Sequence, residues 1–189
     1  ALTMRIAATM DAADLAFDPT KVPDEASLLA RLDLAKSWEE KRDPLFRFNG
    51  ITLSRGGPCW PGYLRQNAPY PGPDGTLTSG KTFMPHEVEM LVVRYCLDHD
   101  LRFNMVLGGE RDADEFLATM DALTKDIDAA QLDWVVQHVL MLTGDHCRRI
   151  AELGLAVTTS PGFVWGKGAL YRERLGEAEF GDAAAVIAG

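Results

Sequence analysis

Cysteine is scarce in this sequence and long greasy runs are missing, and both shortages narrow what the chain can be. Its three cysteines, Cys59, Cys96 and Cys147, stand far apart without a C-x-x-C spacing. An odd, dispersed set does not make a secreted disulfide framework, and a reducing cytoplasm fits it. No stretch approaches the roughly 18 consecutive apolar residues of a membrane span. The opening ALTMRIAATMDAAD lacks the charged-then-apolar layout of a signal peptide. Positive charge is also short, with Lys+Arg 19 against Asp+Glu 28 and a net charge of -9. That balance argues against nucleic acid or an anionic membrane as partner. What is present, 47% hydrophobic and 25% charged residues in 189 positions, suits one globular domain. The first residue is Ala1 rather than Met, so a processed product or an excerpt is expected.

Periodicity divides the chain into strand-helix units. Leu2 to Met10 alternates large apolar with small or polar residues, as a strand does. After a polar loop, Leu28, Leu32, Ala35 and Trp38 recur at helical spacing behind Asp24, and Phe46 to Leu53 is strand-like again. Ser54 to Gly80 is crowded with Gly and Pro and reads as a long loop carrying Trp60, Tyr63 and Tyr70, either a lid or a small satellite core. From Pro85 a helix carries Val88, Leu91, Val92 and Tyr95. A strand, Leu101 to Leu107, follows, then a Gly108-Gly109 turn into a helix from about Arg111 to Leu123. Leu132 to Met141 is nearly all apolar, as strands buried on both faces are. Thr143 caps a helix that Gly154 stops, LAVTTS is a strand, and Ser160-Pro161-Gly162 reads as a turn. About five strands with short crossovers imply parallel pairing, in an open doubly wound sheet or part of a (β/α)8 barrel.

In such folds the chemistry gathers at the carboxyl ends of strands. His138, inside WVVQHVLML, is the foremost candidate, because an imidazole in a greasy strand needs a hydrogen-bond partner or a metal. A core histidine satisfied by a backbone carbonyl is the plain alternative. Ser160 and Trp165 follow a strand and are candidate pocket residues. Gly108-Gly109 could seat an anion but lacks the fuller glycine spacing, so a tight turn is the simpler reading. His86, His99 and His146 fall in or beside helices as solvated or capping residues, and Cys59 has no motif around it.

Three segments together carry a family resemblance: FNGITLSRGGPCWPGYLRQNAPY, RFNMVLGGERDADEFLATMDAL and DWVVQHVLMLTGDHCRRIAELGLAVTTSPGFVWGKGALYRERLG. In order and spacing they resemble the YtcJ-like branch of the amidohydrolase superfamily over roughly residues 46 to 180. The resemblance implies a TIM-type barrel with one or two divalent metals, zinc foremost, that activate water to hydrolyse C–N bonds other than peptide bonds. It places His138 at a strand-end ligand position and matches Arg111 and Asp114 to the family's Gly-Asp-Arg-x-x-Asp run, with Glu110 as its acidic member. It makes Glu110 and Arg111 the candidate catalytic pair, Arg111 fixing a neighbouring loop or a substrate carboxylate through its planar fork. Trp60, Tyr70, Ser160 and Trp165 become the candidate substrate contacts. The sequence departs from the family at Val106, Gln137 and Thr52, where a histidine, a glutamate and a lysine are expected, and the opening His-x-His and last-strand Asp have no counterpart. One imidazole does not hold a catalytic zinc, which takes three protein ligands.

Two readings stay open: a hydrolase with an altered or incomplete metal site acting on a small molecule, and a catalytically inactive barrel segment that binds a small molecule or a partner chain. Half a barrel leaves sheet edges open, so a homo-oligomer or association with the rest of the barrel is the expected assembly. A flavodoxin-like cofactor binder ranks last, since Asp11 to Pro23 contains no glycine to cradle a phosphate.

Overall fold

Apolar residues two apart on successive strands dictate the architecture. In the computed structural model, which describes residues 3–13, 21–41, 43–56, 60 and 62–181, five strands pair in parallel. They are β1 (Ile6–Asp11), β2 (Phe46–Ser54), β5 (Phe103–Val106), β6 (Val135–Gln137) and β7 (Ala156–Val157), side by side in the order β1-β2-β5-β6-β7. The helices α1 (Glu25–Glu39), α2 (His86–Asp98), α3 (Glu110–Leu123) and α4 (Gly144–Glu152) lie in the successive crossovers. The order never reverses, so crossovers of the usual right hand stack all four helices on one face. A doubly wound sheet would reverse direction. The described residues form an open, parallel five-stranded sheet with β1 and β7 at its edges; of the two forms anticipated, a TIM-type barrel or a large piece of one, no closed barrel is seen among them, since closure takes eight strands.

The helix-facing row is the main core. Leu53, Met105 and Val136 stand in register on adjacent strands, and all are fully buried with Ile51 and Phe103. They pack in one cluster with Leu28 and Leu32 of α1, Val92 and Cys96 of α2, Phe116, Leu117 and Met120 of α3, and Ile150 of α4. Each such side chain contributes about 1.5–3 kcal/mol by leaving water. Caps set the helix starts. Asp24 accepts from the Ser27 amide at 2.9 Å, and Thr143 and His146 cap α4 reciprocally, histidine standing where glutamate is usual.

Three expectations change. The strand expected over Leu132 to Met141 is only Val135–Gln137, because Asp133 (φ 58) and His138 (φ 65) are both left-handed and take the chain out of the extended conformation at either end. LAVTTS likewise contributes only Ala156–Val157. The expected turn at Ser160 is instead the start of a fifteen-residue helix, α5 (Pro161–Leu175), with proline in its first turn, where a missing N–H costs nothing.

That helix does not return along the sheet. It packs on the long loop, which contains a two-stranded hairpin of β3 (Tyr70–Pro71) and β4 (Leu77–Thr78). Leu64, Tyr70, Leu140, Met141, Tyr171 and Phe180 form a second buried cluster there. Val157 shows the consequence. It is in register with buried Val136, yet 47% exposed. The loop is held close at Gly109, where a Cβ would overlap the Arg65 carbonyl. Among the described residues no helix is long and apolar enough to cross a membrane.

Candidate functional site

The carboxyl rim of the sheet is where βα loops converge, and the register aligns Ser54, Val106 and Gln137 across it. His138 follows at once. Its left-handed backbone turns the chain out of β6, while the Gln137 carbonyl accepts the Leu107 N–H at 3.0 Å and pins the turn. A non-glycine residue pays about 1 kcal/mol or more for that conformation. Its Nδ1 lies 2.8 Å from the Ser160 hydroxyl, at the N-cap of α5. Ser160 makes no capping bond to its own helix, so its hydroxyl is spent on the imidazole. A serine and a histidine in contact are two parts of a nucleophilic triad, but among the described residues the ring's hydrogen-bond partner is Ser160 and not a carboxylate that would orient it as a base.

Around this pair the structure gathers residues from the long loop and α5. The Phe163 ring stands 6.1 Å from the His138 ring. Lys167, one turn on, sets its Nζ 4.7 Å from the Phe163 centroid and 3.3 Å from that of Trp60. Trp60, Ser160 and His138 are thus joined through two residues that the sequence analysis did not single out. Their signal was the four-residue spacing of Phe163 and Lys167, hidden because the segment read as a turn. Trp165 is 92% exposed on the same helix and stands apart from this group. Tyr70 is buried, its hydroxyl donating to the Leu64 carbonyl at 2.7 Å and accepting from the Gly62 N–H at 3.0 Å, which makes it part of the loop's own core.

Glu110 and Arg111 open α3 on another part of the rim. Arg111 is half exposed and bonds Glu115 along its helix at 3.1 Å. Glu110 lines a cleft of about 370 Å³ with Gln66, Asn67, Met141, Thr143 and Glu179. Buried Gln66 accepts from the Glu110 N–H and donates to Glu179, both at 2.8 Å. Burial, with a further push from Glu110, raises the Glu179 carboxyl above its ordinary range although the Gln66 bond opposes this. His146 is capping, as anticipated, but buried, with Nε2 2.8 Å from Asp114. His99 ends α2 against the Lys36 ammonium, and Cys59 lies outside the described residues.

Behind the rim lies an ion-pair network that the sequence analysis did not foresee. Arg55 binds Glu89 and Glu115, and Arg65 binds Asp112 and Glu115. Thr119 donates to Glu89 at 2.6 Å. Two arginines of the loop are thereby fastened to three carboxylates of α2 and α3. Asp112 is fully buried, with Oδ2 unbonded, and burial pushes its carboxyl up to about 6 against the opposing pull of Arg65 and Arg55. Glu115 is less buried, and its bonds to the same guanidiniums overcome desolvation and hold it down to about 2.

The donor set does not fit a catalytic metal. Among the described residues no three His, Cys, Asp or Glu side chains come together to hold an ion, and the aligned rim row beside His138 offers serine, valine and glutamine. A single imidazole remains where three protein ligands are needed.

No family model and no curated protein matches the chain. Solved structures do. The chain is similar to an uncharacterized metal-dependent hydrolase from Pyrococcus furiosus, with TM-score 0.61 and 19% identity over 78% of this chain and 30% of that protein. It is also similar to one from Pyrococcus horikoshii OT3, with TM-score 0.59 and 15% identity over 74% of this chain and 28% of that protein. At these identities the likeness is one of fold, and the chain spans under a third of either protein.

Proposed function

We propose that this chain is a segment of a (β/α) barrel hydrolase of the amidohydrolase type, YtcJ-like in its loops, acting on C–N bonds other than peptide bonds. The observation that carries the reading is the contact between His138 and Ser160 at the carboxyl ends of neighbouring strands, in a sheet whose strand order follows the chain. His138 is the ligand this chain offers a divalent metal. The described residues supply no second or third, so no catalytic step through a metal is assigned to them, and the remaining ligands would come from elsewhere. The chain's own residues hold the ring in place through Ser160 and shield the rim with α5 and the long loop.

Metal content by mass spectrometry, with melting curves for wild type and His138→Ala, tests this. Joined to the segments that supply the remaining ligands, the chain should bind zinc. Zinc at a hundred times its Kd adds about 2.7 kcal/mol, so that assembly should melt several degrees higher with the metal and its His138→Ala form should not. An assembly so completed that binds no Zn, Mn or Fe, shows no such shift and cleaves no N-acyl amide would overturn the proposal. A second reading, an inactive segment that binds a small molecule or a partner chain, is favoured by exposed Ile6 on the edge strand β1 and exposed Met4 just before it, and by a described part of the chain that gathers no three metal-ligating side chains. A metal-free chain that elutes as an oligomer would support it.

A further inference from the structure

Two local departures from ordinary backbone behaviour meet at one contact on the carboxyl rim. The N-caps Asp24 and Thr143 hold ψ at 160° and 163°, and each accepts from an amide of its own helix. Ser160 caps α5 at ψ 79° and accepts none, although such a bond is what a serine at an N-cap ordinarily makes. Its hydroxyl stands instead 2.8 Å from Nδ1 of His138. His138 in turn holds φ 65°, in a region that a residue with a Cβ seldom enters. Backbone strain of this kind persists where the surrounding structure enforces it, and it gathers at functional sites. Both residues are only partly buried, so solvent reaches the pair. In the first turn of α5, Pro161 has no N–H to give, and the Phe163 N–H goes to the Ser160 carbonyl at 2.9 Å. The Gly162 N–H has no acceptor within the helix, and the space that a Cβ would fill there is empty.

We infer that Ser160 is a nucleophile, with His138 as its general base, for acyl transfer from small esters to water. The inference goes beyond the hydrolase reading, because it calls on no metal and breaks a C–O bond rather than a C–N bond. With the ring proton on Nε2, Nδ1 of His138 is an acceptor. As Ser160 Oγ bonds to the carbonyl carbon of the ester, its proton passes to Nδ1. The carbonyl electron pair moves onto oxygen, and the positive end of α5 with the Gly162 N–H favours that negative charge. The ester C–O bond then breaks, and the leaving alkoxide takes the proton from the imidazolium. Water next attacks the acyl-serine while His138 removes its proton, and Ser160 Oγ leaves and takes that proton back. Ester and water become acid and alcohol, with both residues restored. The Phe163 ring, 6.1 Å from that of His138, is an apolar neighbour that favours an apolar acyl group. A pair without a carboxylate is weaker than a full triad, so covalent capture is a stronger readout than turnover.

The test is covalent labelling of the full chain in excess EDTA, with phenylmethylsulfonyl fluoride and a fluorophosphonate as probes and peptide mass spectrometry as the readout. About one equivalent should attach, at Ser160 rather than at other serines. Ser160→Ala should lose that adduct, and His138→Asn should slow labelling about a hundredfold, as loss of a general base does. Asparagine tolerates the left-handed backbone, so this variant keeps the turn, and melting curves check that it folds. With p-nitrophenyl acetate, wild type should release a burst of about one p-nitrophenolate per chain, and Ser160→Ala should release none. A purely structural tie between β6 and α5 leaves Ser160 no more reactive than a free serine. An unlabelled Ser160 in wild type therefore overturns the inference, as does labelling that His138→Asn leaves unchanged. Labelling and burst in EDTA stand even when the metal-completed assembly cleaves no amide, a result that sinks the hydrolase reading alone. Amide cleavage by that assembly with Ser160 unlabelled sinks the inference alone.

Discussion

The two apolar clusters of this molecule are built in different ways. The larger one, between sheet and helices, is assembled from residues two apart on strands and three or four apart on helices, such as Leu53, Met105 and Val136 against Leu28, Leu32 and Phe116. The smaller one, over the carboxyl rim, draws Leu64 and Tyr70 from a Gly/Pro-rich loop, Leu140 and Met141 from a turn after a left-handed histidine, and Tyr171 and Phe180 from the end of the chain. The first is a scaffold that periodicity alone specifies. The second depends on particular backbone approaches and ion pairs, and it covers the place where ligands of parallel α/β folds bind.

The sharpest way to separate them is to empty each in turn. Phe116→Ala should cost about 3–5 kcal/mol of global stability, read as a large drop in the urea midpoint. Tyr171→Ala removes a side chain just as buried, but should act mainly on the rim, raising hydrogen exchange in residues 62–80 while β2 and β5 stay protected. Equal exchange throughout the chain would show that the clusters form one cooperative unit.

Gly109→Ala attacks the junction between them. The added methyl meets the Arg65 carbonyl, and the loop must lift or α3 must shift, at about 1–3 kcal/mol for overpacking. Faster proteolysis within residues 62–80 at an unchanged helical content is the expected signature.

The ion-pair network gives a pH test of similar size. The folded Asp112 carboxyl is raised above its unfolded value of 3.8 to about 6, so folding takes up a proton between those values. Its contribution is full below 3.8 and fades as pH rises through 6. Glu115, lowered from 4.5 to about 2, works in the opposite sense, with stability present above 4.5 and lost as pH falls through 2. Wild type should therefore gain stability on acidification from pH 7 to 5, and Asp112→Asn should lose that slope. A wild-type melting temperature that falls over the interval would contradict the burial argument.

The smallest effect belongs to Ser160→Ala, which removes one partly exposed hydrogen bond and should cost about 0.5–1.5 kcal/mol. Nitrogen chemical shifts of the His138 ring should change more visibly than the melting temperature.

Much of the scaffold was legible because its signals are local. The stripes of α1, α2 and α3, the Thr143 cap, the left-handed Gly154 and the parallel strand count can all be read within about fifteen residues. The lengths of β6 and β7 were not, since nothing in WVVQHVLML announces that Asp133 and His138 adopt positive φ. Nor was α5, whose proline served equally well for a turn. At the candidate site, His138 and Ser160 were both singled out from the sequence, and they lie in contact. The partnership of Arg65 with Asp112 was hidden because it joins residues 47 apart, and acids in the first turn of α3 look solvated until the loop is laid over them.

The pair of left-handed residues that bound β6 also protects against slippage. Moving this short strand by one position would put Trp134 and Val139 where Asp133 and His138 now stand, and a branched valine strongly resists a positive φ. The alignment of the sheet in its middle is therefore fixed by backbone chirality as well as by burial, and the imidazole is delivered to the same spot each time the chain folds.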